Sequence, residues 1–173
     1  MTVPTILITG PVGVGKTTVA SDVSWIAETA QVPHGGIDVD GLTWMYPYPP
    51  SSVAYDNVGA VWKSYRQAGA THLILAQVIY SRADLNGFYP VIPDATITVF
   101  RLRAELPTLL ARVGQREREG PGQRVHSRQA EELFRQMEQA SVEDYLIETE
   151  GRSAHEVARE IFDLSGWDRA SAA

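Results

Sequence analysis

The stretch "ILITGPVGVGKTTV", residues 6–19, limits the possible folds more than any other part of the chain. A β-branched apolar run, "VPTILIT", ends at Gly10, and "KTTVASDVSWIAETA" follows with Val19, Val23, Ile26 and Ala30 at helical spacing. Between strand and helix, Gly10, Gly15, Lys16 and Thr17 satisfy G-x-x-x-x-G-K-[ST]. Glycines let the backbone curl so that successive N–H groups face one point, and the following helix turns its positive end toward it. Such a loop is a cradle for phosphate. Gly10, Pro11, Val12, Gly13, Val14, Gly15, Lys16, Thr17 and Thr18 are therefore expected to bind a nucleotide. Lys16 would reach the β and γ phosphates, and Thr17 would offer its hydroxyl to Mg²⁺. A dinucleotide-binding G-x-G-x-x-G is not matched, because Thr18 stands where its third glycine belongs.

The rest of the chain alternates in the same way. A second strand is expected to end at "GIDVD", followed by a proline-rich connection and a helix with Val58, Val61, Trp62 and Tyr65 on one face, stopped by Gly69. "THLILAQVIY" and "ATITVFRL" are nearly continuous apolar runs, as suits central strands covered on both faces. "AELPTLLARVGQRE" reads as helix, "REGPGQRVHS" as an exposed mobile loop, "AEELFRQMEQA" as helix and "DYLIET" as the last strand. Ser153 and Glu156 form an S-x-x-E capping box opening a helix with Val157, Ile161 and Leu164 inward. Strands alternating with helices imply an α/β layer fold with a parallel sheet, since each crossover needs a helix to return the chain. No repeat or linker divides the 173 residues, so a single domain spanning 1–173 is expected.

Composition excludes several classes. A net charge of −6 argues against a broad surface for nucleic acid or anionic membrane. No apolar run is long enough to span a bilayer, and no basic segment precedes the first apolar run as an export signal would require. The absence of cysteine removes disulfides and thiolate metal sites, consistent with a cytoplasmic location. Of 13 arginines, eight lie between Arg101 and Arg135, whereas the only lysines are Lys16 and Lys63. In a chain so poor in lysine, one inside a glycine loop carries extra weight.

Asp38 and Asp40 fall at the expected C-terminal end of the second strand, the edge of an open α/β sheet where ligands collect. Alternation would put both carboxylates on one face of an extended segment. One would help hold Mg²⁺ while the other takes the proton of an attacking hydroxyl; the alternative is that they cap the next turn or face solvent.

"GPVGVGKTT" followed by "IDVDGL" resembles the small P-loop kinases typified by shikimate kinase and chloramphenicol phosphotransferase. The resemblance implies a three-layer P-loop NTPase fold, a five-stranded parallel sheet of order 2-3-1-4-5, an Arg-rich lid at about residues 117–128, and transfer of the γ-phosphoryl of ATP to a small-molecule hydroxyl. It further implies that Asp38 joins Thr17 at Mg²⁺ and that Asp40 is the catalytic base beside Lys16. In "LLARVGQREREGPGQR", Arg112 matches the arginine that packs on the adenine face in such kinases, and Arg116 the one that approaches the phosphates; Arg118 and Arg124 match less well. The same arginines, interleaved with Glu117 and Glu119, would also suit a solvated helix end.

The chain departs from the group in places. Gln77 and Arg82 stand after the third strand where shikimate kinase has a glycine triplet. D-G-[FY]-P-R, expected of nucleoside monophosphate kinases, is missing, and "LILAQV" lacks the usual Walker B aspartate. The reading is therefore an ATP- and Mg²⁺-dependent kinase acting on a metabolite or antibiotic, as monomer or homodimer. A nucleoside kinase and a nucleotide-binding regulatory NTPase are the alternatives. Trp44, Tyr46, Tyr48 and Tyr55 would line an acceptor pocket, or else pack against the second helix or a second subunit. His34, His72, His126 and His155 have no metal-ligand spacing.

Overall fold

The computed structural model describes residues 2–116 and 121–170, the side chains of 116–130 and 169–170 excepted. Five strands form one all-parallel sheet of order β2-β3-β1-β4-β5, as expected: β1 (Val3–Thr9), β2 (His34–Asp38), β3 (His72–Ala76), β4 (Ala95–Arg103) and β5 (Tyr145–Glu148). The helices are α1 (Lys16–Thr29), α2 (Ser52–Gln67), α3 (Arg82–Asn86), α4 (Leu106–Arg116), α5 (Pro121–Ala140), α6 (Ala154–Ser165) and α7 (Trp167–Ala170). Among the described residues, no helix is long and apolar enough to cross a membrane.

The continuous apolar strands are explained by layers on both faces. On one face Ile6 and Ile8 of β1, Ile74 of β3 and Phe100 and Leu102 of β4 pack against α1 and α6. On the other, Leu7, Leu73, Leu75 and Val99 pack with Val58 and Trp62 of α2 and Leu85 of α3. Side chains alternate across a strand, so neighbours in one apolar run supply two separate cores. Each large side chain wholly buried here, such as Trp62, Phe88 or Phe100, contributes about 1.5–3 kcal/mol by leaving water.

Several boundaries differ from expectation. β2 stops at Asp38: Val39 takes a helical backbone, buries its side chain and donates its N–H to Ala76 O, and a 3₁₀ turn, Asp40–Thr43, begins. Asp40 therefore opens a turn and does not extend the strand beside Asp38. Within the loop expected over "REGPGQRVHS", residues 121–127 are instead helical, because α5 starts at Pro121; proline suits the first helical position, where its missing N–H has no partner to lose. Residues 117–120 of the expected lid lie outside the described residues, as do the side chains up to 128. In α6 the capping box between Ser153 and Glu156 is present, but the buried arc is Val157, Ala158, Ile161 and Phe162. Leu164 lies about 90° from the centre of that arc at 100° per residue and is exposed.

Candidate active site

Parallel strands bring all their C-terminal ends to one edge, and the glycine loop leaves β1 there. Gly10, Gly13 and Gly15 take φ of 148°, 86° and 104°, conformations that side chains disfavour. A Cβ on Gly10 would also lie 2.8 Å from Leu102 O, and one on Gly13 2.9 Å from Leu109 O. The loop thus presses its backbone against β4 and α4 and turns its concave side outward. Gly15 caps α1 without a side chain, so the first-turn N–H groups of the helix have no side-chain cap. Lys16 folds back over the loop, its Nζ donating to Gly10 O at 3.0 Å and Pro11 O at 3.3 Å.

Thr17 and Asp38 meet across the edge, with Thr17 Oγ1 donating to Asp38 Oδ2 at 2.7 Å. This links the start of α1 to the end of β2, residues 21 apart in sequence. Hydroxyl and carboxylate together offer the hard oxygens that Mg²⁺ prefers, and few protein ligands suit an ion that keeps waters and phosphate oxygens. Among the described residues no group of three or more His, Cys, Asp or Glu is arranged to hold a metal by itself.

Asp40 faces the same cleft from the 3₁₀ turn. That turn is pinned by Thr43 Oγ1 donating to Asp40 O at 3.1 Å and by Asn57 Nδ2 of α2 donating to Leu42 O at 2.8 Å. Burial raises the Asp40 carboxyl above its ordinary value; the Lys16 ammonium opposes the shift and Asp38 adds to it. Water still reaches the residue, which is exposed, so the desolvation is partial. Tyr80, half exposed after β3, is raised by burial and by the charges of Asp40 and Asp84, which puts its phenol within electrostatic reach of both.

These residues share one cleft of about 730 Å³. Its floor is the loop from Val12 to Val19, one end holds Asp38, Asp40, Gly41 and Trp44, and the other holds Arg112, Thr149 and Arg152. Arg112 of α4 donates to Val14 O at 3.4 Å, which holds it against the phosphate loop. Thr149 and Arg152 are wall residues that sequence reasoning missed. Arg152 donates to Glu148 O and Glu156 O and pairs with Glu160 at 2.6 Å, so the loop after β5 is braced on α6. Their position just past the last strand was the available signal.

Other expectations part company with the cleft. The Arg116, Arg118 and Arg124 side chains lie outside the described residues. Gln77 and Arg82 are near the edge but do not line the cleft; Gln77 Oε1 is buried without a hydrogen-bond partner, and Arg82 is exposed. Tyr55 proves to be packing: it meets Phe88 edge to face at 5.0 Å, and its hydroxyl donates to Asp84 O. Tyr46 and Tyr48 are 89% exposed and meet each other edge to face at 6.3 Å. His34 is structural, one ring nitrogen 2.8 Å from Val32 O and the other 2.7 Å from Ser24 Oγ. It borders a smaller, more open hollow of about 450 Å³ at the opposite end of β2.

No protein-family model matches the chain, and no curated protein matches it in sequence. Solved structures do match in fold. The tunicamycin resistance protein of Deinococcus radiodurans superposes with a TM-score of 0.65 at 19% identity, covering 95% of this chain and 96% of its own. Shikimate kinase from Acinetobacter baumannii, in complex with shikimate, gives 0.59 at 19% identity over 94% and 93%. The Mycobacterium tuberculosis APS kinase, in complex with AMPPNP and APS, gives 0.61 at 18% identity over 94% and 97%. The resemblance in the motifs thus extends to the fold: the chain has the three-layer architecture of small-molecule P-loop kinases.

Proposed function

We propose that the chain transfers the γ-phosphoryl group of ATP to a hydroxyl of a small molecule. The observation that carries this reading is the convergence of Lys16 and Thr17, at the start of α1, with Asp38 and Asp40, at the end of β2 and in the turn after it, on one cleft. Kinases of the same fold, one with a nucleotide analogue and its acceptor bound, support it at the level of architecture.

In this reading the backbone N–H groups from Gly13 to Thr18 take the phosphate oxygens, and Lys16 exchanges its carbonyl partners for the β and γ phosphates. Mg²⁺, which Thr17 and Asp38 would hold, would supply positive charge against that of the phosphates. Asp40 accepts the proton as the acceptor oxygen bonds to the γ phosphorus. The bond from that phosphorus to the bridging oxygen breaks, ADP leaves with the electron pair, and the phosphate ester remains. Arg112 takes the base end of the nucleotide, and Arg116 adds charge at the transferring group.

Asp40→Asn separates the roles. Its affinity for AMPPNP is expected to stay close to wild type, while acceptor-stimulated ADP release falls by about 10²–10⁴, the usual worth of a general base. Near wild-type transfer in this variant would remove Asp40 from the mechanism.

A further inference from the structure

Trp44 is 94% exposed, although tryptophan is highly buried on average. It follows the 3₁₀ turn that carries Asp40 and lines the same cleft as Lys16, Thr17 and Asp40. Among the described residues the fold does not use its ring: Asn57 and Thr43 hold the turn through backbone oxygens, and Val39 supplies the buried anchor. An indole carried beside a candidate base on a turn whose backbone is pinned can offer a flat apolar face to a ligand.

Among the described residues, and apart from Lys16, which this reading commits to the phosphates, the charges at its end of the cleft are negative. Asp38 and Asp40 share its end of the cleft, and Asp84 lies with Asp40 within reach of Tyr80. One Asp84 oxygen is already spent on Tyr80 N and Ser81 Oγ, each at 3.0 Å. The nearest cation after β3, Arg82, is exposed and outside the cleft. An anionic acceptor would meet like charge on this side, whereas a neutral ring could lie on the indole with a hydroxyl toward Asp40.

We infer that Trp44 is the stacking platform of the acceptor subsite and that the acceptor is an uncharged, ring-bearing alcohol. This rests on the phosphotransfer reading and narrows it. It also separates this chain from structural neighbours whose bound acceptors, shikimate and APS, are anions.

The test measures Mg²⁺-ATP turnover by ADP release with uridine, methyl glucoside or shikimate as acceptor, and AMPPNP affinity in parallel. Uridine or methyl glucoside should accelerate ADP release and shikimate should not. Trp44→Ala should raise the KM for that neutral acceptor about tenfold with a much smaller change in kcat, and Trp44→Phe should restore most of it. Because the ring is exposed, neither change threatens folding, and AMPPNP affinity should hold. Acceleration by shikimate alone, by none of the three, or an unmoved acceptor KM in Trp44→Ala overturns the inference. Failure of the wild type to bind AMPPNP would instead bring down phosphotransfer itself, and this inference with it.

Discussion

At the scale of single residues, Asp40 is where geometry and titration meet. Burial raises its carboxyl above 3.8 even though Lys16 pulls the other way. A base must be deprotonated, so kcat/KM for the accelerating acceptor should fall on the acid side at a pH above that of an ordinary aspartate; a pH–rate profile checks this. The stability consequence has a definite sign. A carboxyl whose pKa is raised by folding favours the native state below its unfolded pKa, and that contribution is lost as pH rises through the folded value. Asp40→Asn should therefore melt above wild type at pH 7, with the gap closing as the pH falls through the raised folded value toward 3.8, in paired thermal scans. The loop residues were legible because glycine spacing encodes backbone geometry directly. Trp44 was not: a tryptophan among tyrosines and prolines reads alike as core, interface or pocket, and only its placement in the cleft separates it from Tyr55, which packs on Phe88.

Among elements, β4 and α5 are joined by charge. Arg101 of β4, 6% exposed, pairs with Glu138 of α5 at 2.8 Å and with Glu143 at 2.9 Å, while Arg103 bridges Glu138 and Glu148. Hydrogen bonds from Arg101 hold the Glu138 carboxyl below its ordinary range, with burial opposing and Arg103 assisting. Arg101→Leu would strand the largely buried Glu143 and cost about 3–5 kcal/mol in urea unfolding, the scale for breaking a buried pair from one side. Glu143→Gln in that background should recover part of the loss. The depressed Glu138 value adds stability at pH above 4.5 that is lost as the pH falls through its lower folded value, so the amides of α5 should lose protection in acid, measured against their intrinsic exchange rate at each pH. Strands with apolar neighbours on both faces, β1, β3 and β4, were readable from the sequence because each is a nearly continuous apolar run. The five-residue α3 and the turn at Asp40 are too short for periodicity to register. The start of α5 was obscured because Gly120, Pro121 and Gly122 signal a loop as strongly as a helix N-terminus.

For the whole molecule, the parallel sheet is what makes a site out of scattered residues. With every strand running the same way, the loop after β1, the turn after β2 and the wall after β5 open on one cleft, and the Thr17–Asp38 hydrogen bond closes the first two on each other. The central claim is that this cleft holds a triphosphate on backbone amides with Lys16 over its end. Calorimetric titration of AMPPNP with Mg²⁺ into wild type and Lys16→Ala, with thermal melts of both, tests it most directly. Wild type should bind saturably, Lys16→Ala about tenfold or more weakly, and both proteins should melt cooperatively. Equal affinity in the two proteins, or no binding to either, would contradict it.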